Sequence, residues 1–249
     1  MLNKAGKQFI ELLKAGRHVV CLVGGGGKTT LLYELAQTLA DCGRKVLVCT
    51  STHIMQPDAE AYAADAAAVS RLWQQHSYAV IGTPELATGK LTAPSVELYS
   101  SLQEAADVVL CEADGAKQLP CKVPAAHEPV LLADCDVVIA VCGLDALGQP
   151  LERACLRAQL AAALLGVSEE TVLSAAHLAR FMTEKQGARK NVGSRQYYVL
   201  LNKCDLVTSA QLKELCSLLL KAGLRKEQLL LRALPQSPQG DWHRGSFKY

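Results

Sequence analysis

Aromatic residues are scarce in this chain. Three phenylalanines, two tryptophans and seven tyrosines make up 5% of its 249 residues, too few to build the stacking platforms on which single-stranded nucleic acids bind. An excess of one charge is also lacking. The 26 Lys and Arg against 24 Asp and Glu leave a net charge of +2, which gives no electrostatic footprint for nucleic acid or an anionic membrane surface. Neither class of partner is expected. Half of the residues are hydrophobic, yet no run approaches the ~20 apolar residues of a membrane span. The first residues, MLNKAGKQFIELLKAG, alternate charge with hydrophobes at helical spacing and have no apolar signal core, so a cytoplasmic location is expected. Cysteine is abundant, ten in all, but no two form a Cys-x-x-Cys pair, and Cys21, Cys111 and Cys142 sit inside apolar runs. They read as small reduced core residues, which excludes a disulfide scaffold and a structural zinc site. No Ser-His-acid order is apparent either.

Apolar strand-like runs alternate with helical patterns along the chain. That alternation predicts an α/β fold, a P-loop NTPase-like three-layer sandwich with a mostly parallel central sheet. Strands are expected at 18–23, 45–49, 78–81, 107–111, 136–141, 196–201 and 228–231. Helices are expected at 28–41, over the alanine-rich residues 58–75, after Pro94, and at 151–165, 168–179 and 209–222. Residues 82–90 and the Pro-rich 115–129 read as loops, and the polar, glycine-containing 184–195 as a loop that moves. One P-loop domain is expected over 1–234, followed by a loosely ordered tail at 235–249.

The segment HVVCLVGGGGKTTLLYELAQTL combines a strand, a glycine turn and a helix. Glycines let main-chain N–H groups approach phosphate oxygens, and a helix N-terminus adds positive potential. Gly24, Gly25, Gly26 and Gly27 are thus candidates to cradle a triphosphate. Lys28 would reach the β- and γ-phosphates, Thr29 would place its hydroxyl on Mg²⁺, and Thr30 would face the α-phosphate or cap the helix. The longer G-x-x-x-x-G-K-[ST] pattern wants glycine at Leu22; the shorter G-x-x-G-K-T that remains is as similar to the loop of Mur-type ligases as to that of GTPases. A lysine early in the loop, which marks the dimeric deviant-Walker ATPases, is absent, and Val23 stands there.

A second element, ADVVLCEADG, is an apolar strand ending in acids. A carboxylate at such a strand end holds the water shell of Mg²⁺ opposite the threonine hydroxyl. Spacing does not decide between Glu112 and Asp114; Glu112 is assigned to the metal and Asp114 to water or switch contacts. Lys117, Lys122, His127 and Glu128 follow, and the positive side chains are candidates to neutralise γ-phosphate charge, with His127 and Glu128 joining Lys28 and Asp114 as catalytic candidates. A third strand, YYVLL, leads into Asn202-Lys203-Cys204-Asp205, an N-K-x-D tetrapeptide. In P-loop GTPases the Asp accepts the guanine N1 and N2 hydrogens while the Asn and Lys support the loop and ring, so GTP is favoured over ATP. Adenine supplies no such donors and would leave a carboxylate unpaired. Thr52 and His53, in TSTHI after another strand, have two readings: contact with magnesium (Thr52 as ligand), γ-phosphate or a second substrate, or capping of the next segment. GLDALG at 143–148 lies beyond another strand end and reads as a turn beside the same cleft.

Taken together, GGGGKTTLLYELA, TSTHI, EADGAKQLPCKVPAAHEPV, GLDALGQPL and LLNKCD resemble the YqeC family, accessory proteins of selenium-dependent molybdenum hydroxylases. The long EADGA…HEP block is the most specific part. The resemblance implies a P-loop α/β fold and a part in maturing such a hydroxylase, with the hydroxylase or its maturation factors as client. It carries over to Gly24, Gly27, Lys28, Thr29, Thr52, His53, Glu112, Asp114, His127, Glu128, Asn202, Lys203 and Asp205. One departure stands out: a His-Arg pair expected near Cys155 is Leu156-Arg157 here. The leading expectation is a Mg²⁺-dependent GTPase acting as an accessory protein. An ATP-dependent small-molecule kinase or ligase and a non-hydrolysing nucleotide-sensing scaffold are the alternatives.

Overall fold

A computed structural model describes residues 2–57 and 60–233. In chain order the first half comprises α1 (Lys4–Ala15), β1 (His18–Gly24), α2 (Lys28–Ala40), β2 (Val46–Thr50), β3 (His53–Met55), α3 (Ala66–Gln74), β4 (Ala79–Val80), β5 (Thr83–Glu85), β6 (Lys90–Thr92), α4 (Val96–Leu102) and β7 (Val108–Glu112). The second half comprises β8 (Cys121–Lys122), β9 (Val137–Gly143), α5 (Leu151–Ala154), β10 (Cys155–Leu156), α6 (Ala158–Leu165), α7 (Ala175–Thr183), β11 (Gln196–Asn202), α8 (Ser209–Lys221) and β12 (Leu229–Arg232).

Seven strands form the central sheet in the order β12-β11-β9-β1-β7-β2-β4, and every neighbouring pair is parallel. Alternate side chains of β1 divide between two cores. Val19, Cys21 and Val23 pack with residues of α3, α4, α6, α7 and α8, while Val20 and Leu22 pack with α1 and α2. The result is a three-layer α/β sandwich around an all-parallel central sheet. Both faces of the sheet are buried, which is why its strands read as continuous apolar runs rather than alternating ones. Parallel pairing also brings the carboxyl ends of β1, β2, β7, β9 and β11 to one edge, where ligands bind in such sheets. That edge carries Gly24, Thr50, Glu112, Gly143 and Asn202. No helix among the described residues is long and apolar enough to cross a membrane.

Several expected elements differ. The alanine-rich helix predicted over 58–75 begins only at Ala66, where Asp65 accepts from the Ala68 amide. Just upstream, Tyr62 bridges Val80 and the Ala63 amide donates to Val80 O, so pairing with the sheet outweighs alanine's helix propensity. Asp58 and Ala59 lie outside the described residues. The expected loop 82–90 contributes β5 and β6, which pair antiparallel and take β3 on the other side of β6; three-residue strands carry too little period-2 signal to be read. The single helix predicted over 151–165 is broken by β10, whose backbone pairs in parallel with β8, and by Arg157 at φ +67°. The helix expected from 168 starts instead at Ala175, capped by Ser174 and His177. The segment 184–195, expected to move, buries Ala188 and Val192, and Lys190 donates to the Ala125 and Ala126 carbonyls. The tail expected at 235–249 lies outside the described residues.

Candidate functional site

The glycine turn between β1 and α2 is held first of all by the protein itself. The Gly24 amide donates to Asp114 Oδ2 (3.1 Å), that of Gly25 to Val141 O (2.9 Å) and that of Gly26 to Leu119 O (2.9 Å). A Cβ at Gly26 would lie 2.3 Å from Gly143 N, and one at Gly27 would lie 2.4 Å from Asn202 Nδ2; both residues have positive φ, +79° and +116°. Close main-chain approach therefore demands glycine here before any ligand is considered. Three of the four predicted cradle amides thus face inward. What the turn presents outward is the start of α2. Gly27 caps that helix with no side-chain hydrogen bond, which leaves the first-turn amides of Lys28, Thr29 and the exposed Thr30 at the positive end of the helix dipole.

Lys28, Thr29, Glu112 and Asp114 meet directly beneath that helix start. Lys28 is buried, donates to Gly24 O (2.6 Å), and lies 3.1 Å from Asp114 Oδ1 and 3.8 Å from Glu112 Oε1. Thr29 Oγ1 donates to Glu112 Oε2 at 2.6 Å. Burial pushes the Glu112 carboxyl above its ordinary range, against the Lys28 ammonium and the Thr29 hydroxyl, which stabilise its charge. Asp114 Oδ1 is buried and has no hydrogen-bond partner, its approach to Lys28 being close but poorly directed. A hydroxyl and a carboxylate in contact, with an orphaned carboxylate oxygen nearby, are oxygen donors suited to a hard divalent cation. An oxygen donor set of this kind fits Mg²⁺, which binds through few protein ligands and completes its shell with phosphate oxygens and water. Thr52, the other predicted ligand, has its hydroxyl 3.5 Å from Thr50 Oγ1. Its amide bonds Thr50 Oγ1 (3.0 Å), and it is Thr50 that donates to Glu112 O (2.9 Å). His53 is exposed on β3 and pairs with Thr92 in the small sheet.

Residues 115–129 form a strap laid over the turn. Leu119 O receives the Gly26 amide and Pro120 O the Gly143 amide. Lys122 is 1% exposed, and its ammonium meets Gly115 O (2.7 Å), Glu128 Oε2 (2.8 Å) and Asp114 Oδ2 (3.3 Å). Glu128 also binds the Arg157 guanidinium, at 2.8 and 3.0 Å, and the Ala125 amide. Burial alone would raise its carboxyl, but hydrogen bonds from Lys122 and Arg157 outweigh that and hold it below its ordinary range. Glu128, predicted as a catalytic group, is thus engaged as the hub of a buried ion-pair network, and Lys122 is turned inward rather than toward solvent. His127 and Lys117 are exposed on the strap.

At the other end of the turn, Asn202 Nδ2 donates to Gly26 O (2.7 Å), so the N-K-x-D asparagine does support the loop. Lys203, at φ +61°, pairs with Asp145 Oδ2 at 2.5 Å. Asp205 is exposed on the short turn Cys204–Leu206. Two residues that the sequence did not flag complete this corner. Arg232, buried, donates to Asn202 Oδ1 (2.7 Å) and pairs with Glu34 of α2. Its position at the carboxyl end of a sheet strand is the signal that was available, since such ends converge on one edge.

Among solved structures, the hydrogenase maturation factor HypB from Archaeoglobus fulgidus is similar at a TM-score of 0.38 and 11% identity, over 87% of this chain and 84% of that one. The protein named Uncharacterized protein YqeC from Escherichia coli (strain K12) is 31% identical over 208 residues, covering 75% of this chain and 77% of its relative. Residues 20–159, from β1 through the phosphate turn and the strap to the start of α6, match the family described as YqeC protein. With the turn, the acidic strand end and the strap all inside that match, the chain belongs to the YqeC family.

Proposed function

We propose that this protein binds a purine nucleoside triphosphate with Mg²⁺ at the start of α2, favours GTP, and hydrolyses it as an accessory in the maturation of a selenium-dependent molybdenum hydroxylase. The observation that carries the reading is the convergence of Lys28, Thr29, Glu112 and Asp114 beneath a helix N-terminus with no side-chain cap. The open amides would receive phosphate oxygens, and Lys28 would turn its ammonium to the β- and γ-phosphates. Thr29 and Glu112 are the residues to hold Mg²⁺, which when bound neutralises phosphate charge as a Lewis acid. Asp114, which faces both Lys28 and Lys122, would make the switch contacts through which the strap responds to the γ-phosphate. Support for guanine comes from Asn202, which braces the turn, and from Asp205 three residues on. The client rests on family likeness alone.

A calorimetric titration of the full chain with GTP and ATP, with Mg²⁺ or EDTA, followed by measurement of phosphate release, tests this. GTP with Mg²⁺ is expected to bind, and Lys28→Ala to lower its affinity by about 100-fold, in line with the loss of a buried charge–phosphate contact. Equal binding by that variant contradicts the proposal.

A further inference from the structure

The geometry points to Lys122 as a positioning residue for phosphate binding: it is the standing counter-ion of Asp114 that leaves Lys28 available to the ligand. This rests on the nucleotide reading above.

Asp114 is 2% exposed, and both its oxygens face cations. Oδ1 lies 3.1 Å from Lys28 Nζ, and Oδ2 lies 3.3 Å from Lys122 Nζ and 3.1 Å from the Gly24 amide. A Lys28 that engages a polyphosphate must divide its single charge between Asp114 and the ligand. A carboxylate this far from water then needs another partner, because an uncompensated buried charge is strongly unfavourable. Lys122 is the group in place. Its ammonium hydrogen-bonds Gly115 O and Glu128 Oε2 and lies 3.3 Å from Asp114 Oδ2, so every partner it has in this structure is turned inward, and at 1% exposure it has no route to solvent. Neutralisation of the γ-phosphate, the role its place in the strap invites, is therefore not what it does.

The network makes the dependence one-sided. Glu128 keeps the Arg157 guanidinium when Lys122 is removed. Among the described residues, Asp114 keeps Lys28 as its one cation, beside the Gly24 amide. In Lys122→Met, Asp114 would thus hold Lys28 as its sole cationic partner, and phosphate binding would have to break that pair.

The test is a double-mutant cycle on the full chain, read by titration with a fluorescent N-methylanthraniloyl GTP in Mg²⁺ buffer. Couplings between contacting residues reach about 100-fold in an equilibrium constant. Lys122→Met is accordingly expected to weaken binding roughly 10- to 100-fold, and by less than about threefold when introduced into Asp114→Asn, where there is no carboxylate left to satisfy. An equal loss in both backgrounds would assign Lys122 a purely structural role and overturn the inference. So would unchanged affinity in Lys122→Met while Lys28→Ala abolishes binding. Failure of the parent itself to bind the probe would sink the nucleotide reading together with this one. Should Lys122→Met not fold, the parent labelled with ¹⁵N-lysine decides. The slowly exchanging ammonium signal of Lys122 should persist unshifted on adding GTP and Mg²⁺ while that of Lys28 moves, and a phosphate-induced shift of the Lys122 signal overturns the assignment.

Discussion

Replacing Glu128 with glutamine removes the charge at the centre of the strap while keeping its shape. The carboxylate is 9% exposed and meets Lys122, itself 1% exposed, at 2.8 Å; the same oxygen and its neighbour hold Arg157 at 2.8 and 3.0 Å. Breaking one partner out of a buried pair costs about 3–5 kcal/mol. Glutamine retains one acceptor oxygen, and Asp114 still faces Lys122 at 3.3 Å, so the lower end, about 3 kcal/mol, applies. For a chain of this length that corresponds to roughly 6–12 °C in Tm. Differential scanning calorimetry of parent and variant at pH 7 measures it. The pH dependence carries a sign as well. The Glu128 carboxyl is held below its ordinary 4.5, burial raising it but Lys122 and Arg157 together outweighing burial. Its stabilisation is then complete above 4.5 and disappears as the pH falls through the lowered value. The difference between parent and variant, in which the other carboxylates cancel, should narrow below pH 4.5. A gap under about 2 °C at pH 7 would mean the network contributes little, and a gap that widens in acid would reverse the assigned direction.

Gly26→Ala places a Cβ 2.3 Å from Gly143 N at φ +79°, so a loss of at least about 3 kcal/mol is expected from strain and displaced main chain; urea unfolding checks it, and a loss below 1 kcal/mol would show that the turn and the end of β9 can part easily. Asp205→Asn should weaken GTP more than ATP by about 10-fold or more, since the amide cannot accept both guanine hydrogens; an unchanged ratio in competitive binding removes the argument for guanine.

The parts of the fold that the sequence disclosed are those with strong local signals. β1, β7, β9 and β11 are long apolar runs, and their buried character follows from helices on both sheet faces. Lys28, Thr29 and Glu112 were legible because a turn, a helix start and a strand end each have a mark in the chain. The remainder depends on partners distant in sequence. The break at Cys155 exists because residue 155 pairs with residue 121, and nothing within 151–165 announces it. Asp65, not the preceding alanines, sets where α3 starts, since the residues before it serve the sheet. Arg157 was visible only as the retained half of an expected His-Arg pair whose histidine is Leu156 here, and its bond to Glu128 spans 29 positions. The glycines were read as accommodating phosphate; Val141 O, Leu119 O, Gly143 and Asn202 demand them on packing grounds. Both causes leave the same letters, so the motif alone cannot apportion them.

The charges at the site narrow what its ligand needs. Glu112, Asp114 and Glu128 are matched by Lys28, Lys122 and Arg157, three against three within one chain of contacts. Such a cluster is neutral, and its members are already spent on one another. A triphosphate arriving at the start of α2 would add several negative charges next to Glu112 and Asp114, whose own charges repel it. Amides of the first helical turn supply about half a positive charge, and Lys28 can lend only the part of its charge that Lys122 frees from Asp114. Neither suffices alone. On the proposed reading the Thr29–Glu112 pair, 2.6 Å apart, is where the missing positive charge would sit, so EDTA is expected to weaken nucleotide binding itself and not only phosphate release; equal affinity with and without the divalent ion would refute this balance of charge.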